Sequence, residues 1–392
     1  MSNKLLLPKD MALLKSRVQN SLKPIVPVNS QTTSYDNFMF HARKTDAGRK
    51  LPPYYLCYFL FADLLGFTKN GPYDKTAWSI PFDYEGERYL IEHRKYGFAL
   101  SVVQPSNKEE QAQKVVKRIQ AAARTAKPYF EWRAGEAAKG SSLNVHNLHA
   151  RLFARLKYFL GLYKDTYDQL ENAPPISRET IKDTKALAKA RNKKTQLRKN
   201  SEWLALSVLD AFFSWTEHVF ILMAILKGNV VTGDAVKKLA DKEWKIKFKQ
   251  AISSSSDESK TFYDELIKAK DQLRNYIAHG GFGKKGEAFQ FHSDAGAVPL
   301  IINRNSSVER YSFRSDLAFN DQDVVDLIIR FIPYLWANER ATQGMYIESG
   351  LPIILSMAAN GSYVSAIECE DNMEHFIYEL QLEFDRAMDM DY

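Results

Sequence analysis

The stretch Lys260–His279, KTFYDELIKAKDQLRNYIAH, followed by Gly280 and Gly281, decides how the larger part of this chain is read. Phe262, Leu266, Ala269, Leu273, Ile277 and Ala278 recur at steps of three and four, the period of a helix with one buried face. Asp257 suits the cap at its start, and the glycine pair suits its stop. The spacing therefore predicts an amphipathic helix over 257–279. Its last turn gathers Arg274, Asn275 and His279. Asn275 and His279 are one turn apart and share a face, whereas Arg274 lies about 140° from His279 on a regular helix. Arginine holds a phosphate through two parallel hydrogen bonds, and histidine moves a proton near neutral pH. Arg and His converge if the last turn loosens, which two following glycines permit, or if a second copy of the helix supplies the partner.

The bare Arg-x4-His spacing is a weak signal, since Arg88 and His93 repeat it. That second occurrence lies in RYLIEH, an extended-looking run after Glu85-Gly86, where residues five apart point to opposite faces. Setting separates the two. Helices are expected at Val145–Glu171, Ser177–Arg198, Glu202–Lys227, Asp234–Ser253, Asp257–His279 and Asp321–Asn338, with a β-hairpin insert over 288–313. The stretch 36–140 reads as α+β. It has a helix at Pro53–Phe67, strands at Trp78–Tyr84, Arg88–Lys95 and Phe98–Val103, and a helix from Pro105 to Trp132, before glycines and serines over 135–142 that read as a linker. Residues 1–35 read as a polar, proline-interrupted arm with one short helix. Residues 343–392 read as a C-terminal extension, with a strand pair near 345–355 and 363–369, then a helix over 372–387 and an acidic end.

A helix ending in Arg-Asn-x3-His and then glycine, within a basic all-helical segment, resembles the HEPN superfamily over roughly residues 145–340. Arg274, Asn275 and His279 match its Arg-polar-x3–5-His pattern position by position. The resemblance implies a short helical bundle, a homodimer in which two motifs face each other, and metal-independent endoribonuclease activity of the kind found in toxin–antitoxin systems, CRISPR effectors and anti-phage defence. It also implies an acid on an earlier helix that orients the motif arginine, a role for which Glu217 is the candidate. The expected fold is thus α+β overall, a mainly α-helical HEPN-like bundle (143–340) with a smaller N-terminal α+β domain (36–140). The expected function is RNA cleavage through attack of the 2′-hydroxyl, with no cofactor and no metal. A non-catalytic module that binds RNA, a nucleotide or a protein is the second reading. A metal-dependent nuclease built on Asp83, Glu92 and Arg94 is the third.

Charge supports a polyanionic partner. Residues 366–392 carry nine acids and one base, a net −8, so with the chain at +7 overall the other 365 residues hold +15. Between 181 and 200 stand Lys182, Lys185, Lys189, Arg191, Lys193, Lys194, Arg198 and Lys199 against the single acid Asp183, a candidate track for a phosphate backbone. A second basic stretch, Lys114 to Lys127, precedes Tyr129, Phe130 and Trp132, which suit base stacking or core packing. His146 and His149 have a metal-ligand spacing without a third ligand nearby. Two cysteines, Cys57 and Cys369, exclude a disulfide framework and fit a reducing cytoplasm. The runs Tyr54–Phe67 and Trp203–Leu226 are expected as core helices rather than membrane spans, the second because it carries Asp210, Glu217 and His218. The expected partners are RNA, a second copy of the chain, and an antitoxin or other defence protein.

Overall fold

The structure, a computed structural model, describes residues 8–28, 38, 41–174, 183–252, 256–279, 289–294, 296–302, 311–312 and 321–390. The chain divides into two compact units, one of residues 1–140 with 378–392 and the other of residues 141–377. The architecture is α+β and mainly helical.

The first unit is built on a five-stranded antiparallel sheet. Its strands are β1 (Val26–Pro27), β2 (Ala42–Lys44), β3 (Thr76–Tyr84), β4 (Glu87–Arg94) and β5 (Gly97–Val103), in the order β1-β3-β4-β5-β2. β3 and β4 form a hairpin through Glu85-Gly86, whose φ angles of 49° and 86° are those of a turn that matches strand twist. Alternation places Ile80, Phe82, Tyr84, Tyr89, Ile91, Leu100 and Val102 in one core. Ser79, Leu90, Glu92, Ala99 and Ser101, on the opposite face, are buried as well. Helix α1 (Pro8–Leu22) and helix α3 (Glu109–Thr125) lie against each other, with Ser21 and Thr125 sharing a hydrogen bond of 3.2 Å. α1 contributes Val18 and Leu22 to the core, so the stretch expected as a polar arm carries a packed helix.

The expected helix at 53–67 is a short α2 (Tyr54–Tyr58) that widens into a π turn over Phe59–Leu64. The expected helix to Trp132 divides at Ala126, and α4 (Lys127–Lys139) restarts with Pro128 in its first turn, where a missing N–H costs nothing. Gly135 lies inside α4 rather than in a linker. Gly48 is obligatory for space, since a Cβ there would sit 2.8 Å from the backbone nitrogen of Leu100.

The second unit is organised by α5 (His149–Glu171) and α6 (Thr184–Leu226), which run antiparallel: Arg155 pairs with Asp210, and His149 meets Trp215 six positions before and five after. α6 is a single helix of 43 residues where two were expected. Residues 198–202, Arg-Lys-Asn-Ser-Glu, contain no glycine or proline, and Ser201 is buried and bonded to Asp321 rather than acting as a cap. Conversely the expected helix 234–253 is two, α7 (Gly233–Ala240) and α8 (Trp244–Ala251). Thr232 caps α7, and the break carries Trp244 into the core, where its indole donates to Thr216 at 2.9 Å.

α9 (Asp257–His279) matches the sequence expectation at both ends. The insert adds β7 (Phe289–Ser293), β8 (Gly296–Ile302) and β9 (Tyr311–Ser312) as an antiparallel three-stranded sheet; residues 303–310 lie outside the described residues. α10 (Asp321–Leu335) packs on α6 and α9. The strand pair expected over 345–369 is instead mostly helical: α11 (Ala341–Glu348), β10 (Ile353–Ile354) paired with β6 (Asn144–Val145), α12 (Leu355–Ala359) and α13 (Ser362–Ala366). Gly350 (φ 77°) follows the end of α11, and the buried hydroxyls of Tyr346 and Tyr363 bond to each other at 3.0 Å. α14 (Glu370–Asp389) closes the chain. One described helix, α6, is long and apolar enough to cross a membrane, and 72% of that apolar window is buried inside the protein.

Candidate active site

α9 is held by its apolar stripe. Phe262, Leu266 and Ala269 are buried, and the Phe262 ring packs on Phe331 and Tyr334 of α10. The backbone remains α-helical through Arg274, Asn275 and His279. Asn275 and His279 therefore keep their one-turn spacing, and Arg274 keeps its offset of about 140° from His279. The side chains of residues 272–279 and the glycines at 280 and 281 lie outside the described residues.

One turn before Arg274 stands Lys270, and its surroundings are well defined. Its ammonium donates to Oε1 of Glu217 at 3.4 Å and lies 5.0 Å from the Phe213 ring centre and 5.7 Å from that of Trp244. The other carboxylate oxygen of Glu217 accepts from Lys247 of α8 at 3.2 Å, and Lys247 is buried. Glu217 of α6 thus ties α8 and α9 to its own helix with one carboxylate between two ammonium groups. Burial lowers the pKa of Lys270 and the charge of Lys247 adds to this, while Glu217 opposes both. The family resemblance implies that Glu217 orients Arg274; the structure pairs Glu217 with Lys247 and Lys270, and the Arg274 side chain lies outside the described residues. Sequence reading missed both lysines. The available signal was Lys270 at four residues before Arg274, the spacing of neighbours on one helix face.

Beside Glu217, His218 points the other way. Its Nε2 accepts from the backbone N–H of Leu148 at 2.9 Å, and burial pushes its pKa down to about 4, with His149 adding to the effect. His149 in turn accepts at Nδ1 from the indole of Trp215 at 3.2 Å. Asn147 completes this anchor, accepting from the N–H of His149 at 3.1 Å and donating to the carbonyl of Ile347 at 2.8 Å. His149 is thereby a core hydrogen-bonding group, whereas His146 is exposed. Among the described residues no three His, Cys, Asp or Glu side chains converge in a metal-holding arrangement.

The other sequence candidates separate clearly. Asp83 pairs with Arg88 at 3.1 Å. Glu92, opposite Ser79, is four register steps from Asp83, roughly 13 Å along the strands, and accepts from Ser101 at 3.2 Å. The structure does not bring the two acids together. His93 of the Arg88–His93 repeat stacks on Tyr54 at 4.0 Å. Tyr129 is buried and donates to Asp63 at 2.6 Å, and Phe130 and Trp132 pack against the same core, so these rings serve packing. Lys185, Lys189, Arg191, Lys193, Lys194, Arg198 and Lys199 all lie exposed on the first half of α6. Asp183 is spent as the cap, accepting from the N–H groups of Lys185 and Ala186 at 2.9 and 3.2 Å. Lys182 lies outside the described residues.

No protein-family model, no curated protein and no solved structure matches this chain.

Proposed function

We propose that this chain is a metal-independent endoribonuclease of HEPN type, acting as a homodimer in the cytoplasm as a toxin or anti-phage effector. The observation that carries the proposal is Arg274-Asn275-x3-His279 on the final turns of a long helix within a helical unit. RNA brings its own nucleophile, the 2′-hydroxyl. His279 would remove or return the proton, Arg274 would neutralise the charge that develops on the phosphorane, and Asn275 would position His279 or a phosphate oxygen. The 2′-oxygen attacks phosphorus, the 5′-oxygen leaves with a proton, and a 2′,3′-cyclic phosphate and a 5′-hydroxyl result. DNA lacks the nucleophile and cannot follow this path.

α9 stays helical to His279, and a regular helix holds Arg274 and His279 on different faces. That favours completion of the site by a second copy, which also supplies one histidine as base and the other as acid. Light scattering at micromolar concentration is expected to give the mass of a dimer; a fully active monomer would refute this part of the proposal.

His279→Ala and Arg274→Ala are each expected to lower the cleavage rate at least about a hundredfold while leaving circular dichroism and Tm unchanged. Undiminished cleavage by both variants would move the chemistry elsewhere. A wild-type protein that binds RNA without cleaving it would favour the non-catalytic module, for which the basic half of α6 is sufficient.

A further inference from the structure

α6 is about 64 Å long, and its first half, residues 184–200, holds seven bases and no acid. None of these seven side chains pairs with a carboxylate among the described residues. On a regular helix Lys185, Lys189, Asn192, Gln196, Lys199 and Trp203 fall within about 40° of one line, since they follow each other at steps of four and three. All six are exposed. The stripe therefore runs about 27 Å, from two lysines through two amides and a third lysine to an indole. Trp203 is 59% exposed, although the same helix buries Phe212, Trp215 and Phe220 completely. A solvated helix needs no large aromatic at that place.

We propose that this face of α6 is a binding track for single-stranded nucleic acid, with the lysines on the phosphates and Trp203 stacking a base. The inference deepens the RNA-binding part of the function proposed above and stands without the cleavage chemistry. Charge selects the partner: an uncompensated row of ammonium groups fits a polyanion. The indole selects the strand state, because a duplex keeps its base faces stacked inside and a single strand offers them. The amides between them accept and donate without preferring one base.

The test uses fluorescence anisotropy of the full chain with labelled oligo(dT) of about twelve nucleotides, alone and as a duplex. Oligo(dT) has no 2′-hydroxyl, so failure of the ribonuclease proposal leaves this readout untouched, and failure here leaves the cleavage test untouched. Trp203→Ala is expected to weaken single-strand binding about tenfold with little change in its salt dependence, and Trp203→Phe to restore most of it. A variant with Lys185, Lys189 and Lys199 all changed to Ala is expected to flatten the slope of log affinity against log salt by about 2, from roughly 0.7 per lost phosphate contact. All four positions are exposed, so Tm should hold in all three variants. Wild-type binding by Trp203→Ala, an equal loss on duplex and single strand, or an unchanged salt slope in the triple variant would each overturn the proposal. Heparin binding as tight as oligo(dT) and insensitive to Trp203 would reduce the surface to a plain polycation.

Discussion

At the scale of single residues, the two neighbours Glu217 and His218 show how one helical step assigns opposite roles. Glu217 lies between two cations, while His218 is pressed into a buried anchor that favours its neutral form. The folded-state pKa of His218, about 4, is below its ordinary 6.5. The unfolded chain therefore binds a proton first as pH falls, and the folded state loses stability between about 6.5 and 4. The full difference amounts to roughly 3 kcal/mol. Urea midpoints measured across that range should fall toward acid more steeply in the wild type than in His218→Asn. Parallel curves would show that His218 is not the group responsible. Lys247, one of the two partners of Glu217, is not legible in the sequence for a specific reason. Trp244-Lys-Ile-Lys-Phe-Lys presents Lys245, Lys247 and Lys249 as equivalent surface residues. Only the packing of α8 against α6 makes Lys247 the buried one.

At the scale of elements, periodicity was sufficient where one face is buried and the ends carry glycine or a cap. α9 follows from its three- and four-residue steps, and the hairpin β3–β4 follows from alternation around Glu85-Gly86. Short apolar runs were not sufficient: Met345–Leu355 and Tyr363–Cys369 suit a strand as well as a helix, and tertiary packing around Tyr346 and Tyr363 made most of them helical. The break expected between Arg198 and Glu202 does not occur, because nothing there interrupts the helix. Asn200→Pro tests that continuity. Inside a helix it removes one hydrogen bond and clashes with the preceding turn, costing about 3 kcal/mol; at a junction between two helices it would be nearly neutral. A Tm that does not move on this substitution would contradict the single helix.

At the scale of the whole molecule, the chain joins a helical unit bearing the Arg274–His279 motif to a sheet-based unit with its own core. The net charge is +15 outside the last 27 residues and −8 within them, and the proposed RNA partner draws on the first of these. The proposed chemistry cuts RNA at the motif that ends α9, without a metal. The most direct measurement incubates purified protein with RNA in excess EDTA and identifies the new ends. Cleavage is expected to persist in EDTA, to leave 2′,3′-cyclic phosphate and 5′-hydroxyl termini, and to be lost in His279→Ala. Cleavage that stops in EDTA and returns with Mg²⁺, leaving 5′-phosphates, would contradict the proposed chemistry.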